Sequence, residues 1–194
     1  MVEYDALCIA EYSYGKWTSL MMRALAFATA TILALPLAAQ EMPMAAPVCP
    51  QNAEPIPPEL SSWSHKTPLT AARDEASLGS AVLAPGAAVE LTLAETPAVS
   101  YIVRPSHPGG SVSHGGMLGV AIATPGTYRV AIGSGAWVDL VKGKILLEST
   151  GHGHGPNCSG IRKMVDFALQ PGSYVLQIAG NGEAHIPVLI AKLP

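Results

Sequence analysis

The stretches TPGTYRVAIG (124–133) and QPGSYVLQIAG (170–180) decide how this chain is read. Each sets Pro-Gly in front of a run in which apolar and polar residues alternate, and APGAAVELTL (84–93) repeats the arrangement. Proline at the first corner and glycine at the second predict a type II turn. In an extended strand residues i and i+2 share a face, so Tyr128, Val130 and Ile132 point one way while Arg129 and Ala131 point the other. The same spacing sends Tyr128 and Tyr174 into a core with their hydroxyls near the sheet rim.

Working outward, apolar runs of this length fill the chain from residue 80 onward. They are AVELTLA (88–94), AVSYIVR (98–104), GMLGVAIA (116–123), TYRVAIG (127–133), AWVDLVK (136–142), KILLES (144–149), RKMVDFAL (162–169), SYVLQIAG (173–180) and AHIPVLIAK (184–192). Short, β-branched runs separated by Gly, Pro and Asn predict an all-β protein, an antiparallel β-sandwich of the jelly-roll kind with about eight or nine strands. KGK (142–144), GNGE (180–183) and GSG (133–135) read as hairpin turns, because glycine adopts the positive φ that tight hairpins need. These strands resemble exported jelly-roll modules such as pre-peptidase C-terminal and carbohydrate-binding domains, a resemblance that implies architecture and not activity.

The N-terminal part has a different character. MMRALAFATATILALPLAAQE (21–41) has one arginine, an apolar run and small residues before Gln40, the pattern of a secretory signal. The run is shorter than the roughly 20 residues a membrane span needs. A signal begins a chain, so residues 1–20 read as an upstream extension, with Met21 or Met22 as the true start and cleavage after Ala39. Residues 40–79 form a Pro-rich arm pinned by Trp63, ending in a short helix over LTAARDEASLG (69–79). Residues 80–194 form the sandwich.

Export leaves Cys49 and Cys158, and two cysteines in an oxidising compartment predict a single disulfide. Cys49 follows APV, which is no lipobox, so no lipid anchor is expected. The formal net charge is −3 with no basic stripe, which excludes nucleic acid as a partner. The destination is the bacterial periplasm or the medium, with no membrane span after signal cleavage. The oligomeric state stays open.

Chemistry concentrates in STGHGHGPNCSG (149–160). His152 and His154 at i and i+2 could close on one metal ion, with glycines giving the loop room to wrap it. His114 is the best third ligand, with His107 behind it and Asn157, Asp139 or Asp166 as oxygen donors. Imidazole ligands suit zinc, copper or iron alike. The plainer alternative is a loop whose histidines only exchange hydrogen bonds, and His65 and His185 read as surface residues. Next to the loop, Trp137, Asp139, Arg162 and Lys163 compose a polar, Trp-edged patch for an anionic or aromatic small ligand, with Arg162 on a carboxylate and Trp137 stacking. No nucleophile elbow, Walker loop, dinucleotide fingerprint or His-Glu-x-x-His motif is present.

GTYRVAIGSGAWVDLVKG (126–143) and GHGHGPNCSGIRKMVDFALQPGSYVLQIAGNGEA (151–184) are similar to a family of short exported bacterial proteins, some carrying an automatic label of homogentisate 1,2-dioxygenase. The resemblance covers most of residues 80–190. The label implies a mononuclear iron on two histidines and a glutamate, with His152 and His154 imitating a cupin His-x-His pair. No glutamate follows here at cupin spacing, and the later cupin histidine is missing. The leading expectation is therefore an exported, non-catalytic β-sandwich that binds a small ligand or a metal ion through the histidine-glycine loop. The alternatives are a non-heme iron oxygenase and a structural or interaction domain of the cell envelope.

Overall fold

A computed structural model describes Cys49 and residues 54–194, all of which lie in the unit Ala45–Pro194. The expected signal and upstream extension lie outside the described residues. The fold is all-β, as the alternating runs predict, with eleven strands in two sheets among the described residues. They are β1 (Thr67–Thr70), β2 (Ala88–Thr92), β3 (Ala94–Glu95), β4 (His114–Ile122), β5 (Gly126–Ile132), β6 (Trp137–Lys142), β7 (Ile145–Leu146), β8 (Gly151–Gly153), β9 (Lys163–Leu169), β10 (Gly172–Asn181) and β11 (His185–Lys192). One sheet has the order β1-β2-β11-β5-β9-β8 and the other β3-β4-β10-β6-β7. Apart from the parallel β1–β2 pair, neighbouring strands run antiparallel.

The alternation places the core. Tyr128, Val130 and Ile132 of β5, with Val165 and Phe167 of β9, face Leu118 and Val120 of β4 and Leu176 and Ile178 of β10 across the gap between sheets. Each such side chain contributes about 1.5–3 kcal/mol on burial. The expected tyrosines do enter this core. Tyr128 donates its hydroxyl to the Thr124 carbonyl at 2.9 Å, and Tyr174 donates to the Gln170 carbonyl at 2.7 Å. Each tyrosine thereby ties the strand to the turn four residues before it. Of the three Pro-Gly glycines, Gly86 alone (φ 86°) has the φ of a type II corner. Gly126 (φ 156°) and Gly172 (φ 147°) are more extended, because each already begins a strand.

The connections differ from expectation in an instructive way. Lys142 and Ile145 flank a two-residue hairpin loop in which Gly143 has φ 62°. GSG and GNGE are not hairpins. β5 and β6 lie in different sheets, as do β10 and β11, so both turns carry the chain across the sandwich. At GNGE the register of β10 slips between Ile178 and Asn181, with Gly180 at φ 67°. AVSYIVR (98–104) is not a strand. It lies over the outer face of the β4–β10–β6 sheet, where Val103 exchanges two hydrogen bonds with the buried Gln177 side chain and the Tyr101 hydroxyl donates to the Ile178 carbonyl.

The helix expected over 69–79 does not form. Leu69 and Thr70 pair with β2, and Ala72 bridges to Met117 of the opposite sheet through two 2.9 Å hydrogen bonds. The Asp74 carboxylate then takes the Ser77 amide (2.9 Å) and hydroxyl (2.7 Å), a local closure that competes with helical pairing. Only a single 3-10 turn follows, at Leu78–Ser80. In the arm, a 3-10 helix at Pro58–Ser64 buries Leu60 and Trp63 against Ala88, Ala131, Leu189 and Ala191, small enough to let it approach the outer face of the first sheet. Trp63 donates its indole N–H to the Ser159 carbonyl at 2.9 Å, and the Cys49–Cys158 disulfide ties the arm to the same loop.

Candidate functional site

The hairpin loop at Gly143-Lys144 is followed by a strand of only two residues, and that brevity makes the site. β7 pairs with Val141 and Lys142 of β6, so Trp137, Val138 and Asp139 have no strand neighbour on that side. The facing sheet ends in β8, a three-residue strand pairing Gly151, His152 and Gly153 with Asp166, Val165 and Met164. GHG, read from the sequence as loop, is thus an edge strand. Between these edges opens a cleft of about 420 Å³ lined by Trp137, Val138, Asp139, Leu147, Ser149, His152, Lys163, Val165 and Phe167.

Strand periodicity puts Trp137 and Asp139 on one face, and the indole N–H donates to Asp139 Oδ1 at 2.9 Å. Asp139 Oδ2 is buried and meets no hydrogen-bond donor among the described residues. Burial pushes the Asp139 carboxyl above the usual carboxylate range, opposed by the indole hydrogen bond and by the positive charges of Lys163 and His107. Lys163, half-buried, crosses from the first sheet to donate to the Ala136 carbonyl at 3.0 Å, and its ammonium lies 5.2 Å from the centre of the Trp137 ring. Its burial lowers the ammonium pKa, and the attraction of Asp139 raises it. His107 lies against the same indole with ring centres 4.2 Å apart. Behind them the Tyr101 hydroxyl is pushed up to about 12, first by burial and then by the Asp139 charge.

Trp137 therefore carries protein groups on its ring as well as on its N–H. It also lines the cleft, where the sequence places it as a stacking surface. Arg162 does not line this cleft. It lines a second cleft of about 320 Å³ with Gly135, His152, Gly153, His154 and Lys163, and the two clefts share His152 and Lys163. His154 Nδ1 donates to the Arg162 carbonyl at 2.9 Å, which pins the histidine to the start of β9.

The structure does not bring His114 to this loop. His114 opens β4, facing Glu95 of β3 and Asn181 of β10, in the opposite sheet and separated from β6 by β10. Among the described residues no three His, Cys, Asp or Glu side chains gather to hold a metal ion. Asp166, a candidate oxygen donor, is engaged bidentately by Arg129 at 2.7 Å. The two histidines and one carboxylate that the resemblance implies for an iron do not gather on one centre among the described residues, so these residues do not fit that ligand set. His65 and His185 are exposed.

The lining residues Leu147, Ser149 and Phe167 were not singled out by sequence as ligand contacts, and His107, expected behind His114 as a metal ligand, packs on Trp137 instead. No protein-family model matches the chain, and no curated protein matches it.

Proposed function

We propose that residues 54–194 form an exported ligand-binding module that takes a small molecule between β6 and β8–β9 and performs no chemistry on it. The observation that carries this reading is the 420 Å³ cleft, in the size range of small-molecule sites. Its floor is apolar (Val138, Leu147, Val165, Phe167), and its few polar groups (Asp139, Ser149, His152, Lys163) converge on it. The Cys49–Cys158 disulfide supports export, since such bonds persist in oxidising compartments. The proposed location is the bacterial periplasm or the medium.

The test is a ligand-detected and protein-detected NMR screen of a chemically broad small-molecule library against the untagged protein. Binders are expected to shift the Trp137 indole N–H and the His152 and Lys163 resonances together. Absence of binders, or binders that leave those resonances unmoved, would refute the reading in favour of a structural domain of the envelope.

A further inference from the structure

The smaller cleft has a chemically one-sided lining. Gly135, His152, Gly153, His154, Arg162 and Lys163 supply one guanidinium, one ammonium, two imidazoles and no acidic side chain. This cluster stands on a chain whose net charge is −3, so it does not follow from overall composition. Among the described residues the single ion pair is Arg129–Asp166, so neither Arg162 nor Lys163 has a carboxylate within ion-pair distance. The Arg162 side chain makes no hydrogen bond to the described residues, although its backbone is held at both ends by Ile132 and His154. Lys163 gives one hydrogen bond to Ala136, and an ammonium has three donors. The glycines on β8 and at the β5–β6 crossing keep this cleft free of side-chain bulk.

We propose that this cleft holds the charged head of an organic anion, a phosphate, phosphonate, sulfate or carboxylate, whose apolar body lies in the adjoining cleft on Leu147, Val165 and Phe167. The inference rests on the reading of the larger cleft as a ligand site and adds the class of ligand. Arg162 presents a planar fork of donors suited to two oxygens of one acid group, and Lys163, shared by both clefts, marks the junction between head and body. The volume of the larger cleft suits a ring or short chain.

The experiment is calorimetric titration of the untagged protein with phenylphosphonate, inorganic phosphate and benzyl alcohol, which represent the whole ligand, the head and the body. Phenylphosphonate should bind at least about tenfold more tightly than either part, and added salt should weaken it. Arg162→Gln should weaken phenylphosphonate about tenfold at unchanged thermal stability, because that side chain has no ion pair among the described residues. Lys163→Arg, which keeps the charge, should bind, and Lys163→Gln should not. Cosedimentation with phosphatidylglycerol vesicles that is lost in Arg162→Gln would assign the head to a lipid; binding of phenylphosphonate without cosedimentation assigns it to a free organic anion. Equal affinity for phenylphosphonate and benzyl alcohol, or an Arg162→Gln variant that binds as the wild type does, would overturn the anion site while leaving the larger cleft a ligand site. Failure of all three probes to bind would also overturn it, and the broad NMR screen decides separately whether the larger cleft binds anything.

Discussion

Removing the Cys49–Cys158 disulfide should lower stability by several kcal/mol, and glycine at position 158 should recover part of that loss. The bond joins residues 109 apart in sequence. In the chain-entropy model a loop of that length withholds about 16 cal/mol/K from the unfolded chain, or about 4.8 kcal/mol near room temperature. Against a total of about 5–15 kcal/mol for a domain this is a large share. The Trp63–Ser159 hydrogen bond does not depend on the disulfide atoms, so the arm should keep a contact with the loop worth about 1 kcal/mol in the variants. Cys158 sits at φ 63°, a conformation that costs an L-residue roughly 1–2 kcal/mol and glycine nearly nothing. Urea unfolding of the oxidised protein, the reduced protein, Cys49→Ala, Cys158→Ala and Cys158→Gly is the assay. Reduced wild type, Cys49→Ala and Cys158→Ala should fall together, by about 3–5 kcal/mol, and Cys158→Gly should recover about 1 kcal/mol of that loss. Variants as stable as the oxidised protein would refute the loop-closure argument. A Cys158→Gly variant less stable than Cys158→Ala would refute the backbone argument.

The two rim tyrosines and the cleft carboxylate give further tests. Tyr174→Phe removes a hydroxyl that both donates to and accepts from the Gln170 backbone, whereas Tyr128→Phe removes a hydroxyl with one backbone partner. Urea unfolding should show losses of about 1–2 and about 1 kcal/mol respectively, and no loss in either would mean that water replaces these bonds freely. Asp139 has a carboxyl pKa raised above its unfolded value of 3.8, so the folded protein binds its proton more tightly than the unfolded chain does. Its contribution to stability is therefore greatest in acid and declines as pH rises from about 4 through the folded pKa. Asp139→Asn should gain in melting temperature relative to wild type on going from pH 4 to pH 7, and the opposite trend would mean that the carboxylate is stabilised in the fold.

Sequence reached the strands because their signal is local. Alternation with period two in TYRVAI and SYVLQI needs no partner to be read, and it correctly buried Tyr128 and Tyr174. The pairing of Cys49 with Cys158 is legible from counting the cysteines that the expected signal cleavage would leave. Two readings failed where a local preference lost to a distant partner. LTAARDEASLG has helical composition, yet β2 takes its first residues, Met117 takes Ala72, and the Asp74–Ser77 closure takes the rest. AVSYIVR has strand composition, yet Gln177 and Ile178 hold it as a cover over the opposite face.

The candidate site divides in the same way. Composition and spacing singled out Trp137, Asp139, His152, His154, Arg162 and Lys163, because polar and charged side chains stand out in a chain this apolar. Which of them meet was decided only in three dimensions. GSG sends β6 into the sheet opposite β5, which sets Trp137 and Asp139 across from Lys163 instead of beside it in the same sheet. His114 is carried to the opposite sheet by the same kind of crossing, away from the histidines it was expected to join. Backbone alternation and turn chemistry act over a few residues and are written in the chain. The sheet a strand joins, and the edge left open when β7 stops after two residues, depend on hydrogen bonds and core contacts between segments far apart in sequence, and those exist only once the sandwich has closed.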